Sequence, residues 1–264
     1  MRNNDFSRVL PLIESVGEYV LHWRNNQEAR QVYSDAEFKT EADQRAHDML
    51  CQGLNDLYPG TSIISEEDKF TCVRRPDEYW LIDPIDGTAS WYHGYEGFVT
   101  QAAYIKNEIP IFGVIYAPAL SKRWIGIKDV GAYLNGIKLP KLNSIDRMIF
   151  IDNTKEPHGI TKDVMLSLAA TEYVECGSLG LKSVMVADGT VDIFIKDVFV
   201  RDWDLAPASV ILNEVGGCLV QANGEAYIFS GDILKKNGFI VARDSDLLMM
   251  GMNAYEKCKV RSMA

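Results

Sequence analysis

Two aspartates, Asp83 and Asp86, close the segment Trp80-Leu81-Ile82-Asp83-Pro84-Ile85-Asp86-Gly87-Thr88, in which an apolar run stops abruptly at carboxylates, a glycine and a hydroxyl. Carboxylates held this close repel, and one takes up a proton unless a divalent cation supplies the opposite charge. Asp-rich oxygen sites suit Mg²⁺, which keeps several waters and accepts phosphate oxygens. Gly87 permits close backbone approach, and a short helix opening at Gly87 and Thr88 would present amides to an anion. The pattern reads as a metal and phosphate site, although an Asp-Gly pair after a strand is on its own an ordinary turn. The rest of the chain has to decide.

The elements that must position these groups follow from periodicity. Tyr79 to Ile82 carries aromatic and branched residues suited to a half-buried strand, and Pro84 ends regular pairing. The acids therefore stand at a strand's C-terminal edge. Covalent phospho-aspartate chemistry of the D-x-D-G-T type would need an acid where Pro84 stands, so that nucleophile is absent. Ser62 to Ser65 predicts a second short strand ending in Glu66-Glu67-Asp68, from which Glu67 could reach the same sheet edge as a third oxygen ligand. Before it, Thr40 and Asp43 form an N-cap signal for a helix to Leu57, with Ala46, Met49, Leu50 and Leu54 buried and Glu41, Asp43 and His47 left as solvated charges. Phe6, Val9, Leu10, Ile13, Val16, Val20 and Trp23 make one apolar stripe on an opening helix.

Beyond the acids, strands are predicted over 98–106, 109–118, 123–128 and 131–139, with Asn135-Gly136 as a hairpin turn. They describe an antiparallel sheet. Pro140 to Asp146 is polar and reads as a boundary, giving an N-terminal α+β subdomain over 1–143 and a C-terminal α/β subdomain over 144–264. In the second part, Tyr173 to Cys176 leads through Gly177-Ser178-Leu179-Gly180 into a helix carrying Lys182; such a turn either binds an anion or merely connects. Asp204 is the expected N-cap of a helix that ends at Gly216-Gly217, with Pro207 in its first turn. Short strands are expected at 218–221, 226–229 and 239–242, then a terminal helix.

The chain has 264 residues, enough for one large α/β domain or two halves sharing an interface, and a formal charge of −10. No basic stripe offers a nucleic-acid backbone its counterions, which argues against that partner. Five scattered cysteines, Cys51, Cys72, Cys176, Cys218 and Cys258, lack any paired spacing and indicate a reducing compartment. With no basic-then-apolar leader and no apolar run of membrane-spanning length, a cytoplasmic enzyme without a membrane partner is the expectation.

Glu66-Glu67, Asp83-Pro84-Ile85-Asp86-Gly87-Thr88, Trp203-Asp204 with Ala206, and Gly216-Gly217 together resemble the inositol monophosphatase superfamily. The resemblance implies a five-layer αβαβα sandwich and Mg²⁺-dependent, lithium-sensitive hydrolysis of a small phosphate monoester, with two or three ions per site. Carried over by position, Glu67, Asp83, the Ile85 carbonyl, Asp86 and Asp204 hold the metals; Glu67, Thr88 and Asp43 position the attacking water; and Gly87 and Thr88 give amides to the phosphate. Gly177-Ser178, Lys182 and the Trp203-Asp204-x-Ala206-Pro207 form resemble the CysQ-like 3′(2′),5′-bisphosphate nucleotidase branch, in which Lys182 would meet a second phosphate. Asp197 stands instead where inositol monophosphatases carry an acid that contacts substrate hydroxyls, so a sugar or polyol phosphate is the alternative, and a non-catalytic phosphate-binding protein a distant third. Homodimers are common in the family. The chain departs from its pattern at Glu37-Phe38-Lys39, where a Ser-Pro-Val type run is usual.

Overall fold

The computed structural model describes residues 5–34, 38–68 and 74–262; Met1 to Asn4, Glu37 and Cys72 lie outside the described residues. A 3₁₀ turn at Phe6–Val9 runs into α1 (Leu10–Trp23), then β1 (Val32–Ser34), β2 (Lys39–Thr40) and α2 (Glu41–Leu57). Next come β3 (Ser62–Ser65), β4 (Glu78–Asp86), the short α3 (Thr88–Tyr92), β5 (Val99–Lys106), β6 (Ile109–Ala117), β7 (Lys122–Ile127), β8 (Gly131–Leu134) and β9 (Ile137–Lys138). The second part holds β10 (Ile149–Asp152), α4 (Gly159–Ser167), β11 (Glu172–Glu175), α5 (Leu179–Ala187), β12 (Ile193–Lys196) and β13 (Val200–Arg201). It ends with α6 (Asp202–Val215), β14 (Cys218–Gln221), β15 (Leu234–Lys235), β16 (Phe239–Ala242) and α7 (Ser245–Ser262).

Strands β3 to β9 form a seven-stranded sheet in sequence order, parallel only between β3 and β4. Asn135 and Gly136 both take positive φ at its last hairpin, the geometry expected of that dipeptide. A five-stranded sheet follows the order β11-β10-β12-β16-β14. The predicted strand at 226–229 is a single bridge, Val220 to Ala226, because the chain there turns away to bury Tyr227 and Phe229. Cys51, Cys176, Cys218 and Cys258 form no disulfide. Among the described residues no helix is long and apolar enough to cross a membrane.

The layers follow from which faces are apolar. The α1 stripe of Val9, Ile13, Val16 and Val20 packs with Ala42, Ala46, Leu50 and Leu54 of α2 against Trp80, Ile82, Ala102 and Phe112 on one face of the large sheet. The opposite face, with Leu81, Ala103 and Ile115, meets Leu181 and Val184 of α5 and Leu205, Ala208 and Ile211 of α6, which also cover Phe194 and Val241 of the small sheet. Helices α4 and α7 close its outer face over Phe150, Ile193 and Ile240. The result is the five-layer αβαβα sandwich. Its central core draws on both halves of the sequence.

Helix α6 lies unusually close to the large sheet. A Cβ on Gly113 would overlap the carbonyl oxygen of Pro207, and one on Gly126 would lie 2.7 Å from the Ile211 amide nitrogen. Two strand glycines thus seat a helix backbone directly on the sheet.

Candidate active site

Strand β4 delivers the first acids. A register break against β5 between Asp83 and Asp86 lets both carboxyl groups leave the sheet at one edge. Helix α6 brings Asp204 to them, and oxygens of Asp83, Asp86 and Asp204 lie within 4.8 Å of one another. Asp83 and Asp86 are buried and Asp204 is half-buried. Asp83 Oδ1 is buried without a hydrogen-bond partner. Burial, then repulsion from Glu66, Asp86 and Asp204, pushes the Asp83 carboxyl well above the ordinary range; burial, then Asp86 and Glu66, does the same to Asp204. An orphaned oxygen among crowded carboxylates is the donor set of a hard divalent cation. These residues fit such an ion.

The fourth acid is Glu66. Its carboxyl and that of Asp83 interact directly, which raises the Asp83 carboxyl, whereas Glu67, expected here, lies 3.3 Å from Lys39 Nζ. The register explains the swap. Strand β3 pairs in parallel with β4, Ile64 beside Leu81 and Ser65 beside Ile82. Side chains alternate along a strand, so the face that buries Ile64 and Leu81 continues two residues on as Glu66 and Asp83.

Asp43 is 2% exposed, not the solvated first-turn charge its helical position suggested. Its Oδ2 accepts the Thr40 amide at 2.7 Å and the Thr40 hydroxyl at 2.6 Å, while Oδ1 accepts the Thr88 hydroxyl at 2.8 Å. Thr88 Oγ1 also lies 3.0 Å from the Ile85 carbonyl oxygen. Gly87, at φ +94°, turns the chain from β4 into α3; a Cβ there would meet the Gly97 carbonyl at 2.8 Å and the Ser178 amide at 3.1 Å.

The glycine-rich turn before α5 does bind an anion, and that anion is Asp86. Its Oδ2 accepts the Ser178 hydroxyl at 2.6 Å and the Gly180 amide at 2.7 Å, and Oδ1 accepts the Leu179 amide at 3.1 Å. These are the unpaired amides of a helix N-terminus. A Cβ on Gly177 would overlap the Ser90 side chain and the Gly97 carbonyl oxygen. Lys182, 2% exposed, lies beneath the turn and donates to the carbonyls of Cys176 and Gly177 at 3.3 and 3.2 Å. Ser178 and Lys182, expected to meet substrate, here hold Asp86 and the turn itself. Asp197 accepts a hydrogen bond from Lys259 of α7 at 2.8 Å.

Asp204 is the third residue of α6, not its N-cap; it accepts the Arg201 amide at 2.8 Å in a capping-box arrangement. Pro207 is the sixth residue, beyond the predicted first turn. Lacking an N–H, it leaves the Trp203 carbonyl without its usual helical donor. The Nε2 of Gln101 occupies that acceptor at 3.2 Å and reaches Asp86 Oδ2 at 3.3 Å and Asp83 Oδ2 at 3.5 Å. Gln101 was not visible as a site residue, because only the β4–β5 register opposes it to Asp83.

The acid cluster has a measurable signature without metal. Burial first, then Glu67, raises Asp43 to about 6 against its Thr40 and Thr88 hydrogen bonds; burial first, against the pull of Lys39, raises Glu66 to about 7. Both carboxyls hold protons more tightly folded than unfolded, so their contribution is complete at low pH and is lost as pH climbs through those values. In EDTA the melting temperature is expected to fall as pH rises from about 4 to about 7, and less steeply in Glu66→Gln. Equal slopes in the two proteins would contradict this.

Buried carboxylates at a sheet edge, a paired threonine and aspartate, and carbonyl oxygens beside them constitute the site of a metal-assisted hydrolase. Residues 11–259 match the inositol monophosphatase family. The chain belongs to that family, whose members are metal-dependent phosphatases. It is 29% identical over 246 residues to the fructose-1,6-bisphosphatase/inositol-1-monophosphatase of Thermotoga maritima, covering 89% of this chain and 91% of the relative. It is 27% identical to the 3′(2′),5′-bisphosphate nucleotidase CysQ of Aggregatibacter actinomycetemcomitans, covering 88% of each, and 30% identical to inositol monophosphatase 1 of Bos taurus over 72% of this chain and 73% of that one. Among solved structures, a Thermotoga maritima IMPase superposes over 100% of both chains with a TM-score of 0.82 at 25% identity.

Proposed function

We propose that the chain is a Mg²⁺-dependent phosphomonoesterase acting on a small soluble ester in the cytoplasm, with 3′-phosphoadenosine 5′-phosphate as its substrate. The observation that carries the hydrolytic reading is the convergence of Asp83, Asp86, Asp204 and Glu66 beside the Thr88–Asp43 pair. The four acids and the Ile85 carbonyl would hold the metal. Bound there, it would supply a Lewis acid and an acidified water. The Thr88 hydroxyl donates its proton to Asp43, so its lone pairs are left to accept from an incoming water. Asp43, fixed from its other side by Thr40, can take the proton that Thr88 relays. Amides of Gly87 and Thr88 would meet the phosphate. By the family resemblance, Asp204 would hold the metal near the departing oxygen.

The nucleotide reading rests on the Trp203-Asp204-x-Ala206-Pro207 form and on similarity to the CysQ proteins. Because Lys182 is engaged beneath its turn, recognition of a second phosphate falls to other groups. Similarity to inositol monophosphatase 1 favours a polyol phosphate as the second reading. Phosphate release with Mg²⁺ from 3′-phosphoadenosine 5′-phosphate, inositol 1-phosphate and fructose 1,6-bisphosphate separates them. The expected result is a kcat/KM for the nucleotide at least about tenfold above the others, with inhibition by lithium. Preference for inositol 1-phosphate would replace the nucleotide reading by the polyol one, and silence on all three would sink both.

A further inference from the structure

Lys39 places a buried cation beside Glu66 and Glu67 of the acid cluster. Its side chain is about nine-tenths buried, with Nζ donating to the Glu66 carbonyl at 2.7 Å and lying 3.3 Å from Glu67 Oε1. Its charge also attracts the Glu66 carboxylate. The ammonium cannot easily swing out. Lys39 precedes Thr40, whose amide and hydroxyl are both bonded to Asp43, so the backbone that carries the lysine is tied to the acid cluster itself. The charge of Glu67 in turn acts on Asp43. One side of the cluster, formed by Glu67, Asp43 and the Glu66 backbone, thus has a covalently attached positive charge. On the other side, among the described residues, Asp83, Asp86 and Asp204 form no ion pair, and Asp83 Oδ1 has no partner at all.

A divalent ion entering beside Glu67 would have to displace or approach a buried ammonium, and like charges at such separations repel strongly where solvent does not screen them. An ion among Asp83, Asp86 and Asp204 meets three carboxyl groups and the Gln101 amide, with no ammonium or guanidinium of a described residue in ion-pair contact with any of the three acids. We propose that Lys39 is a built-in countercharge that confines divalent cations to the Asp83–Asp86–Asp204 side of the cluster and keeps one off the Glu67–Asp43 side. The inference rests on the metal-dependent reading of the site. It makes Lys39 a positioning residue that sets how many ions the chain holds.

The test counts ions. Metal-free wild type, Lys39→Met and Lys39→Arg are dialysed to equilibrium against Mn²⁺, bound metal is measured by atomic absorption, and folding is checked by circular dichroism. Lys39→Met is expected to bind one more ion per chain than wild type, and Lys39→Arg the same number as wild type. The rise in melting temperature on adding Mn²⁺ should likewise be larger in Lys39→Met. Equal, non-zero counts in wild type and folded Lys39→Met would overturn the proposal while leaving the phosphatase reading intact. Absence of bound metal in all three proteins would overturn both. Should Lys39→Met fail to fold, Lys39→Gln, which also removes the charge, carries the same comparison with the same two outcomes.

Discussion

Asp83→Asn is expected to lower kcat by about 10³-fold or more while leaving the metal-free protein at least as stable as wild type. Asp83 is buried against three other acids, and one of its oxygens has no hydrogen-bond partner. Without metal, its charge is therefore a liability to the fold, and an amide relieves it. With metal bound, the same oxygen would be a ligand that an amide replaces poorly. Asp86→Asn should behave differently. Asp86 closes the N-terminus of α5 through Ser178, Leu179 and Gly180, so the amide loses both the ion and the anchor of a helix. Its metal-free melting temperature should fall, consistent with charge-assisted hydrogen bonds of roughly 1.5–3 kcal/mol. Paired activity assays and thermal melts in EDTA read both quantities. A drop in stability for Asp83→Asn equal to that for Asp86→Asn would show that the two acids do not divide their roles in this way.

The second large effect is remote from any acid. Gly113→Val is expected to cost about 3 kcal/mol of stability, the upper end of ordinary overpacking, and to lower the melting temperature by roughly 6–12 °C. The new side chain would occupy the place of the Pro207 carbonyl. Because Asp204 belongs to the same helix, the surviving folded protein should also bind Mn²⁺ more weakly. Ala103→Val, on the neighbouring strand in the same core, provides the control for overpacking as such. Loss of stability with unchanged metal affinity in Gly113→Val would mean that α6 can shift without carrying Asp204 with it.

Much of this was legible from local chemistry. The strand ending in Asp83, Asp86 and Gly87, the Thr40–Asp43 cap and the α1 stripe all depend on short-range spacing, and the structure has each of them. What was misplaced depends on pairing between distant segments. Glu66 and Glu67 are adjacent acids of the same type, and only the β3–β4 register decides which one faces Asp83. The turn before α5 carried a sound anion signal, yet the anion came from 94 residues away in the same chain. Lys182 has the length and charge of a phosphate ligand, and its direction is fixed by carbonyls that sequence spacing does not locate. Gln101 became part of the site only because Pro207 leaves free the carbonyl of Trp203, 102 residues beyond Gln101.

That last separation bears on when the site comes into being. Asp83 and Asp86 are made before Asp204, and the glycines that let the segments touch lie between them. A chain still emerging from the ribosome, or one opened between its two sheets, holds only fragments of the cluster. Ion binding then acts as a latch on the finished molecule: it favours the native state by mass action and gives incomplete intermediates no comparable gain.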